Sequence, residues 1–170
     1  MIYFVFGSSA CNLSCTYCGG TPEDLEMPEK PTYDPKKVIE QINKDDDPVV
    51  VFYGGEPLLN IPFMQQLMDG IPKGTFVLQS NCTLLHMLPT PYLLKFKCIL
   101  VSIDGRPETV AAYRGPTIFK KIHKNILDAR ARGFTGHIIA RMACSMKTSI
   151  YEDVHYLISE CDLNFDAVYW

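Results

Sequence analysis

The chain has 170 residues, 47% of them hydrophobic and 21% charged, with a net charge of −3 and a pI near 5.8. It is long and apolar enough for one well-buried core, and its lack of a basic excess argues against a nucleic-acid or anionic-membrane partner. No apolar run approaches the ~20 residues that span a bilayer, and the first segment lacks the basic region and cleavage site of a secretory signal. Seven cysteines, three of them clustered, suit a reducing cytoplasm and a metal site better than a secreted disulfide framework.

The first apolar, β-branched run, Ile2–Phe6, predicts a strand. Cys11, Cys15 and Cys18 follow it with the spacing CxxxCxxC. Three close thiols can hold three corners of a cubane iron–sulfur cluster and leave its fourth iron open to a small molecule. Zinc is the alternative, although it usually wants four ligands in paired clusters, so one remote cysteine would have to complete the set. Glu23, Asp24, Glu26 and Glu29 make the next loop acidic. Asp34-Pro35 reads as an N-cap and first helical residue, with Val38, Ile39 and Ile42 on one face of the helix.

Val49–Tyr53 predicts the second strand and runs into Gly54-Gly55-Glu56-Pro57. The two glycines permit tight backbone geometry that leaves amides and carbonyls open to a ligand, and the carboxylate beside them could receive an ammonium group. Taken alone, the same four residues are an ordinary turn before a helix. Asn60 reads as the cap of a segment carrying Phe63, Met64, Leu67 and Met68. The third strand, Thr75–Leu78, is followed by the polar loop Gln79-Ser80-Asn81-Cys82-Thr83. Pro89 and Pro91 limit the next stretch to a turn or two of helix.

The fourth strand, Cys98–Ile103, leads through Ser102-Ile103-Asp104-Gly105 to Tyr113-Arg114-Gly115. A hydroxyl and a guanidinium brought together would clamp a carboxylate. Asp104-Gly105 is equally a turn signal, and Arg114 equally a surface charge. Ile118, Ile122 and Ile126 form an apolar stripe that stops before Gly133. A fifth strand is predicted at His137–Met142 and a sixth at Phe165–Tyr169. Between them, Ser149-x-x-Glu152 reads as a capping box ahead of Val154, Leu157, Ile158 and Cys161. Cys82, Cys98, Cys144 and Cys161 read as small core residues.

Strands alternating with helices imply an α/β fold with a parallel sheet, and near-continuous apolar runs suit strands buried on both faces. A complete eight-stranded barrel needs ~250 residues, so six repeats leave a partial barrel or a doubly wound sheet. The expectation is one domain over residues 1–170, with the helix after the sixth strand missing. In either fold the chemistry gathers where strands end, and polar or glycine-rich motifs do follow the first four.

That order of motifs resembles the radical S-adenosylmethionine (SAM) enzymes, and within them the peptide-modifying members with a C-terminal auxiliary-cluster domain. Cys-Asn-Leu-Ser-Cys-Thr-Tyr-Cys, Tyr-Gly-Gly-Glu-Pro-Leu-Leu and Gln-Ser-Asn-Cys-Thr-Leu-Leu match their pattern, and the likeness runs from Met1 to Trp170. The resemblance implies a partial (β/α)6 barrel, truncated relative to those enzymes. It implies a 4Fe-4S cluster on Cys11, Cys15 and Cys18 whose open iron chelates SAM. Tyr17 would lie beside the adenine, and Gly54, Gly55 and Glu56 would hold the methionine amino group. Ser102 and Arg114 would bind the carboxylate or ribose, Asn81 would line the site, and Val168–Trp170 would approach the adenine. Asp104 is a candidate for handling a substrate proton. The implied activity is reductive cleavage of SAM to a 5′-deoxyadenosyl radical that abstracts hydrogen from a peptide or protein, with a flavodoxin or ferredoxin as electron donor. A cluster- or metal-binding domain without turnover of its own is the alternative. One departure stands out: Cys82 occupies a position where relatives commonly have glycine.

Overall fold

The computed structural model describes residues 1–18 and 28–170, so the predicted acidic positions Glu23, Asp24 and Glu26 lie outside the described residues. Six parallel strands form one sheet: β1 (Ile2–Ser8), β2 (Val49–Gly54), β3 (Thr75–Ser80), β4 (Phe96–Ser102), β5 (His137–Arg141) and β6 (Ala167–Tyr169). Their spatial order is their sequence order, and every neighbouring pair is parallel. A doubly wound sheet reverses its strand order at a switch point. No reversal occurs here, so the crossovers stay on one side and the sheet curls into an open (β/α)6 partial barrel.

The crossovers are α1 (Pro35–Ile42), α2 (Ile61–Gly70), α3 (Thr90–Leu93), α4 (Pro107–Arg114), α5 (Ile118–Ala131) and α6 (Ile150–His155), the last continuing as a π-helical turn over Tyr156–Glu160. Asp34 caps α1 as expected, its carboxylate accepting from Lys36 N at 2.9 Å. Two other caps differ from expectation. Asn60 makes no cap bond; it donates instead to the Gly7 carbonyl at 2.8 Å and ties the start of α2 to β1. At α6 the carboxylate that reaches back to Ser149 N is Asp153, at 2.9 Å, while Glu152 turns outward to pair with Arg106 at 2.7 Å. Helix α4 has the signals of a helix in Pro107 at its start and Gly115 (φ 116°) after its end, but its apolar stripe is too weak to stand out.

The sheet has two unlike faces because alternate residues point to opposite sides. Val5, Val50, Phe52, Phe76, Leu78, Ile99, Val101, Ile138 and Ala140 join one core cluster with Ile42, Met64, Leu67, Leu93, Val110, Ile122, Ile126 and Leu157 from the crossovers. The other face is concave and open. Along β1, Ile2, Phe4 and Phe6 are 60%, 61% and 43% exposed, which corrects the expectation of burial on both sides for this strand, whereas Val51 beside Phe4 on β2 is buried and Leu100 and Ile139 are half-buried. A closed barrel fills its interior with layers of side chains from all its strands, and six strands leave that interior uncovered. Among the scattered cysteines, Cys82 and Cys161 are buried and Cys98 half-buried, but Cys144 is exposed and is not a core residue.

Candidate active site

The strand ends meet around a cavity of about 310 Å³. Its wall includes Cys11, Cys15, Tyr17 and Cys18 from the loop after β1, Gly54 and Gly55 from β2, Ser80 and Asn81 from β3, and Ser102 and Arg114 from β4 and α4. The paired glycines explain how the cysteine loop reaches this position. Gly55 N and Glu56 N donate to the carbonyls of Ser8 and Ala10 at 2.9 and 2.8 Å, laying the loop directly on the end of β2. A Cβ on Gly55 would stand 2.2 Å from the Ala10 carbonyl oxygen, and one on Gly54 (φ 131°) would stand 2.5 Å from that of Ser8. The glycines therefore admit another stretch of this chain, and these amides are not open to a ligand as the sequence suggested.

Asp104 ties the loop down from the opposite side. Its carboxylate is inaccessible to solvent and accepts from Arg114 Nε (2.7 Å) and Nη2 (2.9 Å), the Tyr17 hydroxyl (3.0 Å) and Ala143 N (3.1 Å). Tyr17 also packs against Tyr113, and Thr16 N donates to the Tyr113 carbonyl at 2.9 Å. Burial pushes the Tyr17 phenol well above its ordinary value, so it stays protonated and donating. The remaining Arg114 nitrogen, Nη1, lies 4.0 Å from Cys15 Sγ. Cys11 Sγ receives Leu13 N at 3.5 Å and Asn81 Nδ2 at 3.9 Å. Loss of hydration raises both thiols, while Arg114 at Cys15 and the Leu13 N–H at Cys11 draw them back toward the thiolate.

Glu56 is also fully buried. Its Oε1 accepts from Leu58 N and Ser80 Oγ and its Oε2 from Asn81 N, at 2.8–3.0 Å, so it joins the ends of β2 and β3 from beneath the cavity. Burial raises its pKa while these three donors oppose the shift. Beside it, Asn81 Nδ2 donates to Asn12 Oδ1 at 2.9 Å, Asn12 Nδ2 donates to Thr83 Oγ1 at 2.8 Å, and Asn125 of α5 donates to the carbonyls of Cys82 and Thr83. Cys82, at the centre of this turn, has φ 57° and no exposure. Its thiol faces the Ser80 carbonyl rather than the cavity.

The structure thus brings Cys11, Cys15, Tyr17, Cys18, Gly54, Gly55, Asn81, Ser102 and Arg114 to one cavity, and puts Glu56 and Asp104 in the layer behind it. Trp170 lies elsewhere, in a groove with Ile150, Tyr151, Val154 and Ile158. The wall also holds residues outside the set the sequence suggests: Leu13, Tyr53, Gln79 and Ser80, which lie inside the motifs already described, and Arg141, Met142 and Ala143, which lie outside them. Arg141 ends β5 and Met142 and Ala143 follow it, and the rule that chemistry gathers at strand ends would have found these three; no motif marks them. Asn12, inside the cysteine motif, likewise carries no signal of its own.

The sequence pattern described as the Radical SAM superfamily matches residues 5–154. A curated relative, Fe-coproporphyrin III synthase of Methanosarcina barkeri, is 30% identical over 127 residues, covering 72% of this chain and 30% of that enzyme. Among solved structures, tagged anSMEcpe with bound AdoMet superposes with a TM-score of 0.71 at 23% identity, covering 97% of this chain and 50% of that one. SuiB of Streptococcus suis superposes with a TM-score of 0.68 at 20% identity, covering 98% and 38%. At these identities the structural likeness speaks to the fold. The chain spans half or less of the length of each of the three.

Proposed function

This chain belongs to the Radical SAM superfamily, and from that premise we propose that it is a catalytic core that binds a 4Fe-4S cluster and SAM in the cavity at its strand ends. The single observation that carries the reading is the convergence of Cys11, Cys15 and Cys18 with Gly54, Gly55 and Ser102 on one cavity. The donor set fits a cluster: thiolates need hydrogen-bond donors, and N–H groups of Leu13, Asn81 and Arg114 point at two of the three sulfurs. Among the described residues no three Cys, His, Asp or Glu side chains gather on a single ion. A cubane does not require that, because its thiolates sit on separate irons. When bound, the group supplies reductive cleavage of SAM and, from it, hydrogen abstraction at an unactivated carbon.

The chain's own residues bind and orient. Ser102 and Arg114, whose Nη1 lies 4.0 Å from Cys15 Sγ, border the polar end of SAM, Asn81 and the backbone at Gly54 and Gly55 line its path, and Tyr17 borders it. Asp104 acts as a positioning residue: with four donors already on its carboxylate, it holds Arg114 and Tyr17 in place and has little freedom to move a proton. Glu56 acts in the same way on Ser80 and Asn81 from below, in place of direct contact with the methionine amino group.

The substrate reading is a peptide or protein side chain, with reduction by a flavodoxin or ferredoxin. It is supported by fold likeness to anSMEcpe solved with a Cp18Cys peptide and to SuiB solved with its precursor peptide SuiA. A second reading, a tetrapyrrole, is favoured by the higher sequence identity to Fe-coproporphyrin III synthase and by the exposed aromatic face of Phe4 and Phe6.

Anaerobic reconstitution with iron and sulfide tests the core reading. We expect a 4Fe-4S electron paramagnetic resonance signal that changes on adding SAM, formation of 5′-deoxyadenosine under reducing conditions, and loss of both in Cys15→Ala. A changed signal without 5′-deoxyadenosine would mean a binding domain without turnover. Tetrahedral zinc with no cluster uptake would sink the reading.

A further inference from the structure

Two guanidinium groups line the cavity, and they are not equivalent. Arg114 has a side chain only 7% exposed and its charge is matched by the bidentate contact with Asp104. Arg141 ends β5 in register with Ser102 of β4, which puts both side chains on the concave face. It is exposed, and among the described residues it has no ion-pair partner. No aspartate or glutamate stands in the described wall of the cavity to balance it. The two nearby carboxylates, Asp104 and Glu56, are buried and turned toward other donors.

An unmatched guanidinium beside a hydroxyl, on the wall of a partly enclosed site, is suited to an anion. Its planar fork matches a carboxylate through two parallel N–H···O bonds, and the cavity wall reduces the screening that weakens such pairs in open water. We propose that Arg141 is the anion receptor of this cavity and takes a carboxylate of a bound ligand. The inference rests on the functional reading above only for who brings that carboxylate: SAM through its amino-acid end, or an acidic molecule being modified.

Phenylglyoxal, which modifies accessible guanidinium groups, reads this directly when the labelled protein is mapped by mass spectrometry. Arg141 should react fast and Arg114 slowly. Protection of Arg141 by SAM, with none from the analogue whose carboxylate is a carboxamide, assigns the receptor to SAM. Protection by glutarate on top of saturating SAM, with none from glutaramide, assigns it to the molecule being modified. Arg141→Gln should weaken whichever ligand protects by about tenfold, the loss of one charge-assisted pair, and Arg141→Lys should recover part of it. If neither carboxylate protects and Arg141→Gln binds both as the wild type does, the proposal is overturned. The glutarate comparison also runs on the metal-free protein. A chain that takes up no cluster and no SAM, yet is protected by glutarate, would defeat the functional reading and leave the receptor standing.

Discussion

Cys82 holds a backbone conformation (φ 57°) that side chains with a Cβ resist by roughly 1–2 kcal/mol, which is why glycine suits the position. Burial of its small apolar side chain offsets a similar amount, about 1 kcal/mol. Cys82→Gly should therefore leave stability within about 1 kcal/mol of the wild type in urea denaturation. Cys82→Val should cost more than about 2 kcal/mol, because a β-branched residue at positive φ is far more strained. A destabilised Gly variant would mean that the thiol packs better than this balance allows. Gly55 makes the opposite case, since the obstacle there is another segment of chain. Gly55→Ala should lift the loop of Cys11, Cys15 and Cys18 off β2 and lower iron content after reconstitution while circular dichroism keeps its wild-type form. The sequence could mark both positions but not explain either one. The Gly54-Gly55 pair suggested room for a ligand, and only the fold reveals that Ser8 and Ala10 fill that room.

At the scale of elements, Asp153 fastens the start of α6 to the turn between β4 and α4. It is solvent-inaccessible and accepts from Arg106 N, Arg106 Nε, Thr109 Oγ1 and Ser149 N at 2.8–3.0 Å. Burial disfavours its charge, but these donors outweigh burial and hold the carboxyl below its ordinary 3.8. A depressed folded-state value means that the stabilisation is present above about 3.8 and is lost as the pH falls through the lower folded value. Asp153→Asn should cost about 2–3 kcal/mol near neutral pH, the order of charge-assisted bonds lost. The gap from wild type should narrow when unfolding is followed into acid below the ordinary aspartate range. A gap that stays constant with pH would assign the loss to shape instead of charge. The pattern of residues identified α6 and its capping carboxylate, but placed that carboxylate one residue too early. Glu152 and Asp153 are chemically interchangeable in a pattern, and only the approach of Gly105 and Arg106 selects between them.

Across the whole molecule, the two faces of the sheet predict opposite responses to like substitutions. Phe52 is fully buried, stacked on Phe76 and edge-on to Phe96, and its truncation to Ala should cost about 3–5 kcal/mol. Phe4 and Phe6 lie on the concave face with edge contacts to Tyr53, so each truncation should cost only about 0.5–1.5 kcal/mol in thermal or urea unfolding. Equal losses on both faces would indicate that the concave side is covered in solution. The six strands were legible because parallel strands at a sheet's centre are apolar, and their parallel direction followed from alternation with helices; alternation left their order open between a barrel and a doubly wound sheet, and the family resemblance favoured the barrel. Which face lies open was not legible: Phe4 and Phe52 are the same residue type in similar runs, and the difference depends on how far the sheet closes. Arg141 escaped notice for a related reason, as its meaning comes from Ser102 beside it and from the engagement of Arg114 elsewhere.

Because strand order equals sequence order, each strand hydrogen-bonds only to those made just before and just after it. The sheet can therefore be laid down in the order the ribosome delivers it, each new strand adding to an existing edge. The cysteine loop precedes β2 in the chain, but Asn81, Asp104 and Arg114, which touch or anchor it, are synthesised after β2. Until they arrive, the described part of the loop is held by the end of β2 and by the carbonyls of Pro28 and Glu29. The growing chain passes through an interval in which the three thiols lack these neighbours, so a cluster held there, as proposed above, would be taken up after the fourth strand and the helix that follows it are made.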